Sequence, residues 1–294
     1  MQLRFGVTKP YWQTMKAPHW PNFDWLISHD LGDLDSSYQN DVKCRHNHCP
    51  SYHPSMRLAA RHVFPGMEKI TTSYSQSMQD IFVLTFLNGK LNGTYIELGA
   101  FDPINFNNTY LLSQFGWNGL SIDILESLSR EWELKRPNNT FIAQDALKID
   151  YKKLLNQHAL PTQIDYLQID IDHPDQNLLL ETLLQSGHRF SVITNEHNVY
   201  DGPTGEDLKN NSVDLLLSHG YVRLVENITC FNFLTDSHVA FEDWWIDPNV
   251  ITTVMQQKFL TVGKNKVYPF ELFCNENSVE HLMEAVLLQK NIWN

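Results

Sequence analysis

The chain has 294 residues, 42% of them hydrophobic and 12% aromatic, which fits one large α/β domain with extensions better than two full domains. Its formal net charge of −12 argues against nucleic acid or an anionic membrane as the main partner. No apolar run reaches the roughly 18 residues of a membrane-spanning helix, and residues 1–10 lack the apolar segment of a secretory signal. We therefore expect a cytoplasmic protein.

Residues 1–70 form a distinct amino-terminal segment that is rich in Trp, His and Pro and has no clear periodicity, so we interpret it as an irregular extension. Within it, Cys44–Cys49 (CRHNHC) brings together thiol and imidazole groups, which are the ligands that zinc prefers. The spacing matches no recognised zinc finger, so a structural zinc site and an unliganded His-rich loop both stay open. The four cysteines of the chain are too few for a disulfide framework in a protein of this size.

A short buried strand is predicted at Thr94–Leu98, where β-branched, aromatic and apolar residues lie between two glycines. Glu97 places a carboxylate near the carboxyl end of this strand, and Gly99 lets the backbone turn sharply and lets a ligand approach it closely. Ligands of open α/β sheets bind outside the carboxyl ends of the strands, so this segment suits a nucleoside-bearing cofactor. It is not a dinucleotide motif, because Ala100 and Asp102 stand where glycines would fall.

Two further predicted strands also end in an acid. Gly119–Asp123 forms the second strand, and the carboxylate of Asp123 is placed to accept hydrogen bonds from both ribose hydroxyls of a nucleoside. Thr140–Ala146 forms the third, and Asp145 is placed to accept one from the exocyclic amine of adenine. Three successive strands that each end in an acidic residue are typical of Rossmann-like methyltransferases that use S-adenosylmethionine (SAM). Lys and Arg are scarce in this part of the chain, which argues against a phosphate-rich cofactor.

Two predicted helices flank the first strand. Ser75–Leu87 has an apolar face at helical spacing, and Gln76 in its first turn either lines a cofactor pocket or is simply solvated. Asn107–Phe115 is the crossover helix after the first strand, with Asn107 or Asn108 as its cap. The amides at the amino terminus of this helix would face the methionine carboxylate of SAM.

The fourth and fifth predicted strands, Tyr166–Ile169 and Phe190–Thr194, are each followed by polar residues. Because the carboxyl ends of neighbouring parallel strands meet at one edge of a sheet, we expect these residues to lie close together. They are Asp170, Asp172, Glu196 and His197. Each acid taken singly is equally well explained as a helix cap or a turn former, but four such residues on one edge favour a functional site.

This set of residues suits the methylation of a hydroxyl group, which needs a base or a divalent cation that lowers the pKa of the acceptor. We assign catalytic roles to His197, whose pKa suits a general base at neutral pH, and to Asp170 and Glu196. Asp170, Asp172 and Glu196 are hard oxygen donors and are candidate ligands for Mg²⁺. The expected cofactors are therefore SAM and, optionally, Mg²⁺.

The carboxyl-terminal part of the chain holds a strand pair and an aromatic segment. Tyr221–Glu226 and Ile228–Leu234 are predicted to pair in antiparallel orientation around a turn at Asn227. Phe241–Pro248 (FEDWWIDP) sets two tryptophans beside carboxylates, which is typical of sugar-binding sites and equally of clusters at the edge of a core. Ser278–Leu288 is predicted as a helix that packs against the domain.

Several short segments of the chain, taken in order, carry a family likeness. They are Ser75–Gln76, Gln79–Asp80, Tyr95–Asp102, Asn108–Thr109, Gly116–Asp123, Ile164–Asp172, Glu196–Asn198 and Gly220–Tyr221. Through them, from about residue 73 to 248, the chain resembles the FkbM-type SAM-dependent methyltransferases. The resemblance implies a Rossmann-like class I fold, with a seven-stranded, mostly parallel sheet and helices on both faces. It also implies O-methylation, often of sugar hydroxyls in glycans or natural products. The chain departs from the family pattern at His173–Pro174, where a glycine is usual.

These inferences divide the chain into an irregular extension (1–70), a SAM-dependent methyltransferase domain (71–248) and a carboxyl-terminal extension with a helix (249–294). The residues expected to bind SAM are Gln76, Glu97, Gly99, Ala100, Asp102, Asn108, Asp123, Asp145 and Ala146. The expected partner is a small-molecule or glycan acceptor, and the sequence is compatible with a homo-oligomer. The alternatives are a catalytically silent module that keeps the fold and a nucleotide-dependent oxidoreductase, which the missing glycines of the first turn disfavour.

Overall fold

The computed structural model describes residues 62–70, 73–232, 237–259 and 264–273. The Cys44–Cys49 segment, most of the predicted amino-terminal extension and the predicted helix Ser278–Leu288 lie outside these residues. Among the helices that the structure describes, none is long and apolar enough to cross a membrane.

Seven strands form one sheet within the described ranges. They are β1 (Thr94–Leu98), β2 (Asn118–Asp123), β3 (Thr140–Ala143), β4 (Gln163–Ile169), β5 (Arg189–Glu196), β6 (Val222–Asn232) and β7 (Ser237–Ile246). Their order is β3–β2–β1–β4–β5–β7–β6; β1 to β5 pair in parallel, and β7 runs antiparallel between β5 and β6. This strand order, with one reversed strand near the edge, is that of the Rossmann-like class I methyltransferase fold, and it confirms the predicted fold class.

Helices cover both faces of the sheet. The helices within the described ranges are α1 (Gln79–Phe86), α2 (Tyr110–Gln114), α3 (Ser129–Lys135), α4 (Tyr151–Gln157), α5 (Gln176–Leu184), α6 (Pro203–Ser218), α7 (Thr253–Phe259) and α8 (Pro269–Phe273). Successive side chains of a strand point to opposite sides, so the sheet has two apolar faces. Tyr95, Tyr166 and Trp244 pack on one face against α1, α2 and α7. Ile96 and Trp245 pack on the other against α4, α5 and α6.

The predicted strand pair around Asn227 is wrong. β6 runs through Asn227, whose φ of 59° and the register shifts between Val225 and Ile228 mark an irregularity of the bulge kind. The antiparallel partner of β6 is β7, which takes in most of the aromatic Phe241–Pro248 segment. Asparagine tolerates a positive φ, so the same residue type serves a turn or a bulge, and the local sequence does not distinguish them.

Two helices begin later than predicted. α1 begins after Met78, whose φ of 65° is incompatible with a helix. The Ser75 hydroxyl donates to the Asp80 carboxylate at 2.8 Å and accepts from the Asp80 amide at 3.3 Å. α2 likewise begins after Asn107, whose side-chain oxygen accepts from Arg136 at 2.8 Å. In both places the polar side chain accepts from a backbone amide near the start of the helix and also bonds a second side chain.

Candidate active site

The turn after β1 lies directly against the end of β4. Gly99 has a φ of +81°, and a Cβ atom on it would lie 1.6 Å from the carbonyl oxygen of Asp170. The amides of Gly99 and Ala100 both donate to the carbonyl of Ile122, at 2.9 and 3.1 Å. Only glycine fits this position, and the contact brings the ends of β1, β2 and β4 together at the carboxyl edge of the sheet.

Glu97 is buried below this turn, with 1% of the residue exposed. Its Oε1 accepts from the amide of Asn108 at 3.1 Å, and its Oε2 accepts from the hydroxyls of Thr109 and Ser121 at 2.8 and 2.7 Å. Burial raises the pKa of Glu97, while the Arg136 guanidinium lowers it. These three donors and the burial of the carboxylate give Glu97 a structural role, and its predicted contact with SAM stays a prediction. The carboxylate ties β1, β2 and the loop before α2 together.

The loop between Gly99 and α2 is ordered by its own side chains. Asp102 accepts from the amides of Ile104 and Asn105 at 2.8 and 2.7 Å, so one of its oxygens is engaged within the loop. Asn108 is 7% exposed, and its Oδ1 has no hydrogen-bond partner among the described residues. A buried amide oxygen without a partner is unusual, and it makes Asn108 a candidate to bind a donor group of a ligand.

Arg136 supports this loop from the side of α3. It is 3% exposed and donates to Asn107 Oδ1 at 2.8 Å, to Thr109 Oγ1 at 3.0 Å and to the hydroxyl of Tyr95 at 3.1 Å. Its guanidinium also lies over the ring of Trp132, 4.6 Å from the centroid. The sequence shows Arg136 only as a basic residue at the end of a predicted helix, so this role was missed.

Asp123 and Asp145 lie at the carboxyl ends of β2 and β3, where they were expected. The carboxylate of Asp123 accepts from the amides of Phe101 and Leu125, both at 2.9 Å, and burial raises its pKa. Asp145 caps a short 3₁₀ turn and pairs with Lys148 at 2.8 Å, which lowers the pKa of that carboxyl. Each carboxylate retains oxygen lone pairs that can accept a further hydrogen bond.

The exposure of three further residues bears on the predicted SAM site. Ile124, directly after Asp123, is 67% exposed and was not singled out, although an apolar residue next to a strand-ending acid is visible in the sequence. Gln76 is partly exposed in the segment that leads into α1. Ala146 is buried, and its carbonyl accepts from the hydroxyl of Tyr151 at 2.9 Å.

Asp170, Asp172 and Glu196, which we call the acidic group, meet at the ends of β4 and β5. One carboxylate oxygen of each lies within 4.8 Å of the others. Burial, followed by the Asp172 carboxylate, raises the pKa of Asp170 to about 7. Burial, followed by the Asp170 carboxylate, raises the pKa of Glu196 well above its usual range. Carboxylates at this spacing need shared protons or a cation at neutral pH.

Two neutral amides position the acidic group. Gln176, 3% exposed at the start of α5, accepts from the amide of Ile171 at 3.1 Å and donates to the carbonyl of Glu196. Asn198 donates from Nδ2 to Asp172 at 3.2 Å. These contacts tie the loop after β4 to the end of β5. Neither amide was predicted, because each depends on a contact distant in sequence.

His197 does not join the acidic group. It is 1% exposed, its Nε2 lies 3.3 Å from Asp243 Oδ1, and burial lowers its pKa. Asp243 pairs with Asn195 of β5, whereas Glu242 pairs with Glu196. Because neighbouring residues of a strand alternate between faces, His197 and Glu196 lie on opposite sides of the sheet. The expected convergence of His197 with the three acids is therefore not observed.

Trp244 and Trp245 are core residues and not a sugar-stacking surface. Both are fully buried, and Trp244 stacks on Phe82 with ring centroids 4.3 Å apart. The indole of Trp244 donates to Glu242, which is itself buried and whose pKa burial raises to about 8. The interpretation of this segment as a sugar site is wrong, because β7 is covered on both faces. Glu242 is an interior acid, which its place in an acidic, aromatic segment of the sequence does not indicate.

A surface cavity of about 340 Å³ lies at the opposite edge of the sheet. Its lining includes Trp117 and Asn118 at the start of β2 and Lys135 and Asn138 after α3. Ligands of open α/β sheets bind at the carboxyl ends of the strands. This cavity is therefore not assigned to SAM or to the acceptor.

No protein-family model and no curated protein matches the chain. Among solved structures, the chain is similar to an O-methyltransferase from Bacillus cereus in complex with S-adenosylhomocysteine (SAH). The identity is 15% over 77% of this chain and 98% of that one, with a TM-score of 0.43. It is also similar to the 1,6-didemethyltoxoflavin N1-methyltransferase of Burkholderia thailandensis, at 12% identity over 79% and 93% of the two chains, with a TM-score of 0.41. The strand order of the sheet, and not these similarities, carries the fold assignment.

Proposed function

We propose that this protein is a SAM-dependent O-methyltransferase of the FkbM type that its sequence resembles. The observation that carries the proposal is the acidic group of Asp170, Asp172 and Glu196, which stands at the carboxyl edge of the sheet beside the Gly99 turn. Carboxylates in this place can bind a cation and can accept the proton of a hydroxyl.

The residues at the ends of β1, β2 and β3 fit SAM. Asp123 has acceptor capacity left for the ribose hydroxyls, and the exposed side chain of Ile124 offers an apolar surface for the adenine. Asp145 has the chemistry to accept from the exocyclic amine of that base. The buried Oδ1 of Asn108, which has no partner among the described residues, suits the ammonium of the methionine part.

The acidic group fits a divalent cation such as Mg²⁺. Its donors are carboxylate oxygens within 4.8 Å of one another, and hard cations prefer such ligands. Burial, and after it the repulsion between the carboxylates, raises the pKa values of Asp170 and Glu196, and a positive charge there would offset that repulsion. When bound, the cation would lower the pKa of an acceptor hydroxyl.

The residues of the chain would orient the acceptor and take up its proton. In the transfer, the acceptor oxygen forms a bond to the methyl carbon while the bond from that carbon to sulfur breaks, and SAH is left. When no cation is bound, the hydroxyl proton would pass to the acidic group, where the pKa of Asp170, raised to about 7 by burial, suits a general base. With a cation bound, the carboxylates would act as its ligands, and the lowered pKa of the acceptor hydroxyl would take the place of that base. The Gly99 turn, packed on the Asp170 carbonyl, sets the spacing between this base and the cofactor edge.

The acceptor we propose is a carbohydrate hydroxyl, in keeping with the family resemblance. The tryptophans of β7 lend it no support, since both are buried. The net charge of −12 disfavours a nucleic-acid acceptor, because the phosphate backbone attracts basic surfaces.

The test is the transfer of a radiolabelled methyl group from SAM to a panel of simple glycosides, in Mg²⁺ and in EDTA. The wild type should label an acceptor, and Asp170→Asn should lose about 100-fold or more of that rate while still binding SAM. Asp207→Asn, which changes an exposed acid on α6, is the matched control and should keep the wild-type rate. Equal rates for the two variants would defeat the proposed role of the acidic group.

The second candidate is a catalytically silent module. Two observations favour it: His173–Pro174 replaces the usual glycine after Asp172, and Glu97 is taken up by contacts within the fold. Such a module would be folded, would bind SAM weakly or not at all, and would transfer no methyl group.

A further inference from the structure

A single helical turn after β5 carries an aromatic side chain close to the acidic group. This turn, Val199–Asp201, lies between Asn198 and Gly202, which both have positive φ. Tyr200 is at its centre and is 42% exposed. Its hydroxyl makes no hydrogen bond with any residue of the described ranges. Burial of the hydroxyl, followed by the Glu196 carboxylate, raises the pKa of Tyr200, which is consistent with a hydroxyl beside the acids.

The base of this turn is fixed on both sides. Asn198 donates to Asp172 at 3.2 Å and accepts, through its carbonyl, from the amide of Asp201 at 2.8 Å. The first turn of α6 packs so closely that a Cβ atom on Gly205 would lie 2.1 Å from the Asn198 carbonyl oxygen. The backbone of the turn that carries Tyr200 is therefore fixed relative to Asp172.

We propose that Tyr200 is an acceptor-binding residue that selects cyclic polyols, an inference that rests on the proposed function. Its ring offers a flat apolar surface on which one face of a pyranose can pack. Its hydroxyl is free to bond a hydroxyl of the acceptor next to the one held at the acidic group. A linear polyol could reach the acidic group equally well but would lose the packing on the ring.

A purely structural role explains Tyr200 less well. A buried tyrosine that supports a fold bonds its hydroxyl within the protein, as Tyr221 does by accepting from the amide of Phe190 at 3.0 Å. Tyr200 differs from Tyr221 in both respects, because its side chain is half-exposed and its hydroxyl makes no hydrogen bond with a described residue. A polar tip without such a bond, on a turn that is tied to Asp172 through Asn198, is available to a ligand.

The test is calorimetric titration of the full chain in the presence of SAH and Mg²⁺. The probes are methyl α-glucopyranoside, methyl α-mannopyranoside, methyl α-galactopyranoside and the linear polyol sorbitol. The proteins are the wild type, Tyr200→Phe, Tyr200→Ala and the control Tyr110→Phe, which changes a tyrosine that lines the cavity at the opposite edge of the sheet. Binding of SAH alone is measured first for each protein.

The wild type should bind at least one glycoside more tightly than sorbitol. Tyr200→Phe should weaken the binding of that glycoside about threefold to tenfold, as expected for one lost hydrogen bond. Tyr200→Ala should weaken its binding about tenfold or more and remove the preference over sorbitol. SAH affinity should be unchanged in both, and Tyr110→Phe should match the wild type throughout.

Glycoside affinity that Tyr200→Ala leaves unchanged would overturn the inference, as would a wild type that binds no glycoside or binds sorbitol equally well. Such a result, in a protein that binds SAH and transfers methyl groups, leaves the proposed function intact. A wild type that does not bind SAH defeats the proposed function instead, and the glycoside titrations repeated without SAH still decide the role of Tyr200.

Discussion

Gly99 and Asp170 are in backbone contact, with room for no side-chain atom between them, since a Cβ at Gly99 would lie 1.6 Å from the Asp170 carbonyl oxygen. Gly99 belongs to the turn that faces the proposed cofactor, and Asp170 belongs to the acidic group. The turn after β1 and the residue proposed as the base thus meet at one backbone junction.

Gly99→Ala should therefore destabilise the fold by more than its backbone conformation alone explains. Gly187→Ala is the matched control, because Gly187 has a similar φ of +91° but nothing within 4 Å of the added atom. We expect about 1 kcal/mol for the control and roughly 3 kcal/mol or more for Gly99→Ala, measured by urea unfolding. Equal losses of stability for the two variants would show that the contact between Gly99 and the Asp170 carbonyl accommodates the added methyl group, which would contradict the geometry described above.

Glu97→Gln should lower stability as well as SAM affinity. The substitution replaces a carboxylate that accepts three buried hydrogen bonds with an amide that disrupts at least one, so we expect a loss of roughly 1 to 3 kcal/mol. Ser121→Ala, which removes one of those donors, should give a smaller loss. If Glu97→Gln abolished SAM binding in a protein as stable as the wild type, Glu97 would contact SAM directly and its assignment as an internal support would be wrong.

His197→Gln should preserve methyl transfer in the molecules that fold. The side chain is buried beside Asp243 on the face of the sheet away from Glu196, so its loss weakens packing and a hydrogen bond but removes no group from the acidic site. We expect a stability loss of roughly 1 to 3 kcal/mol and a rate within about threefold of the wild type per folded molecule. A rate as low as that of Asp170→Asn at unchanged stability would restore His197 as the base.

Glu242 should make the protein less stable as pH rises. Burial raises the pKa of Glu242 to about 8, whereas in the unfolded chain it titrates near its ordinary value of about 4. Below about pH 4 both states hold the proton; between about pH 4 and 8 only the folded state does, so the free energy of unfolding falls across that window and levels off above it. This group alone accounts for up to roughly 5 kcal/mol.

Urea unfolding between pH 4 and 8 checks this dependence by comparing the wild type with Glu242→Gln. The amide is neutral at every pH and can still accept from the indole of Trp244. The two proteins should have similar stability near pH 4, and the variant should be the more stable one at pH 8. Parallel curves would mean that Glu242 is ionised in the folded state.

The sequence predicts the parts of this structure that local pattern determines. β1 has the predicted bounds, because a short apolar run between two glycines strongly favours a buried strand. Asp170, Asp172 and Glu196 meet as expected, because they follow neighbouring parallel strands. These predictions need only strand positions and the rule that parallel strands end at one edge.

The parts that failed depend on register and on contacts distant in sequence. The fifth strand was predicted to end at Thr194, but it continues to Glu196, and the alternation of side chains then sends His197 to the other face. The two tryptophans of β7 look like a binding surface until the helices that bury them are known. Arg136 likewise supports the loop between Gly99 and α2 only because the packing of α3 brings its guanidinium to that loop.

The most direct measurement is calorimetric titration of the purified full chain with SAM and with SAH, in Mg²⁺ and in EDTA. Asp123→Asn serves as the variant, because it changes the carboxylate proposed to hold the ribose. Micromolar binding of both ligands by the wild type, weakened about tenfold or more in Asp123→Asn, is the predicted result. A folded wild type that binds neither SAM nor SAH would contradict the proposed methyltransferase and leave the silent module in its place.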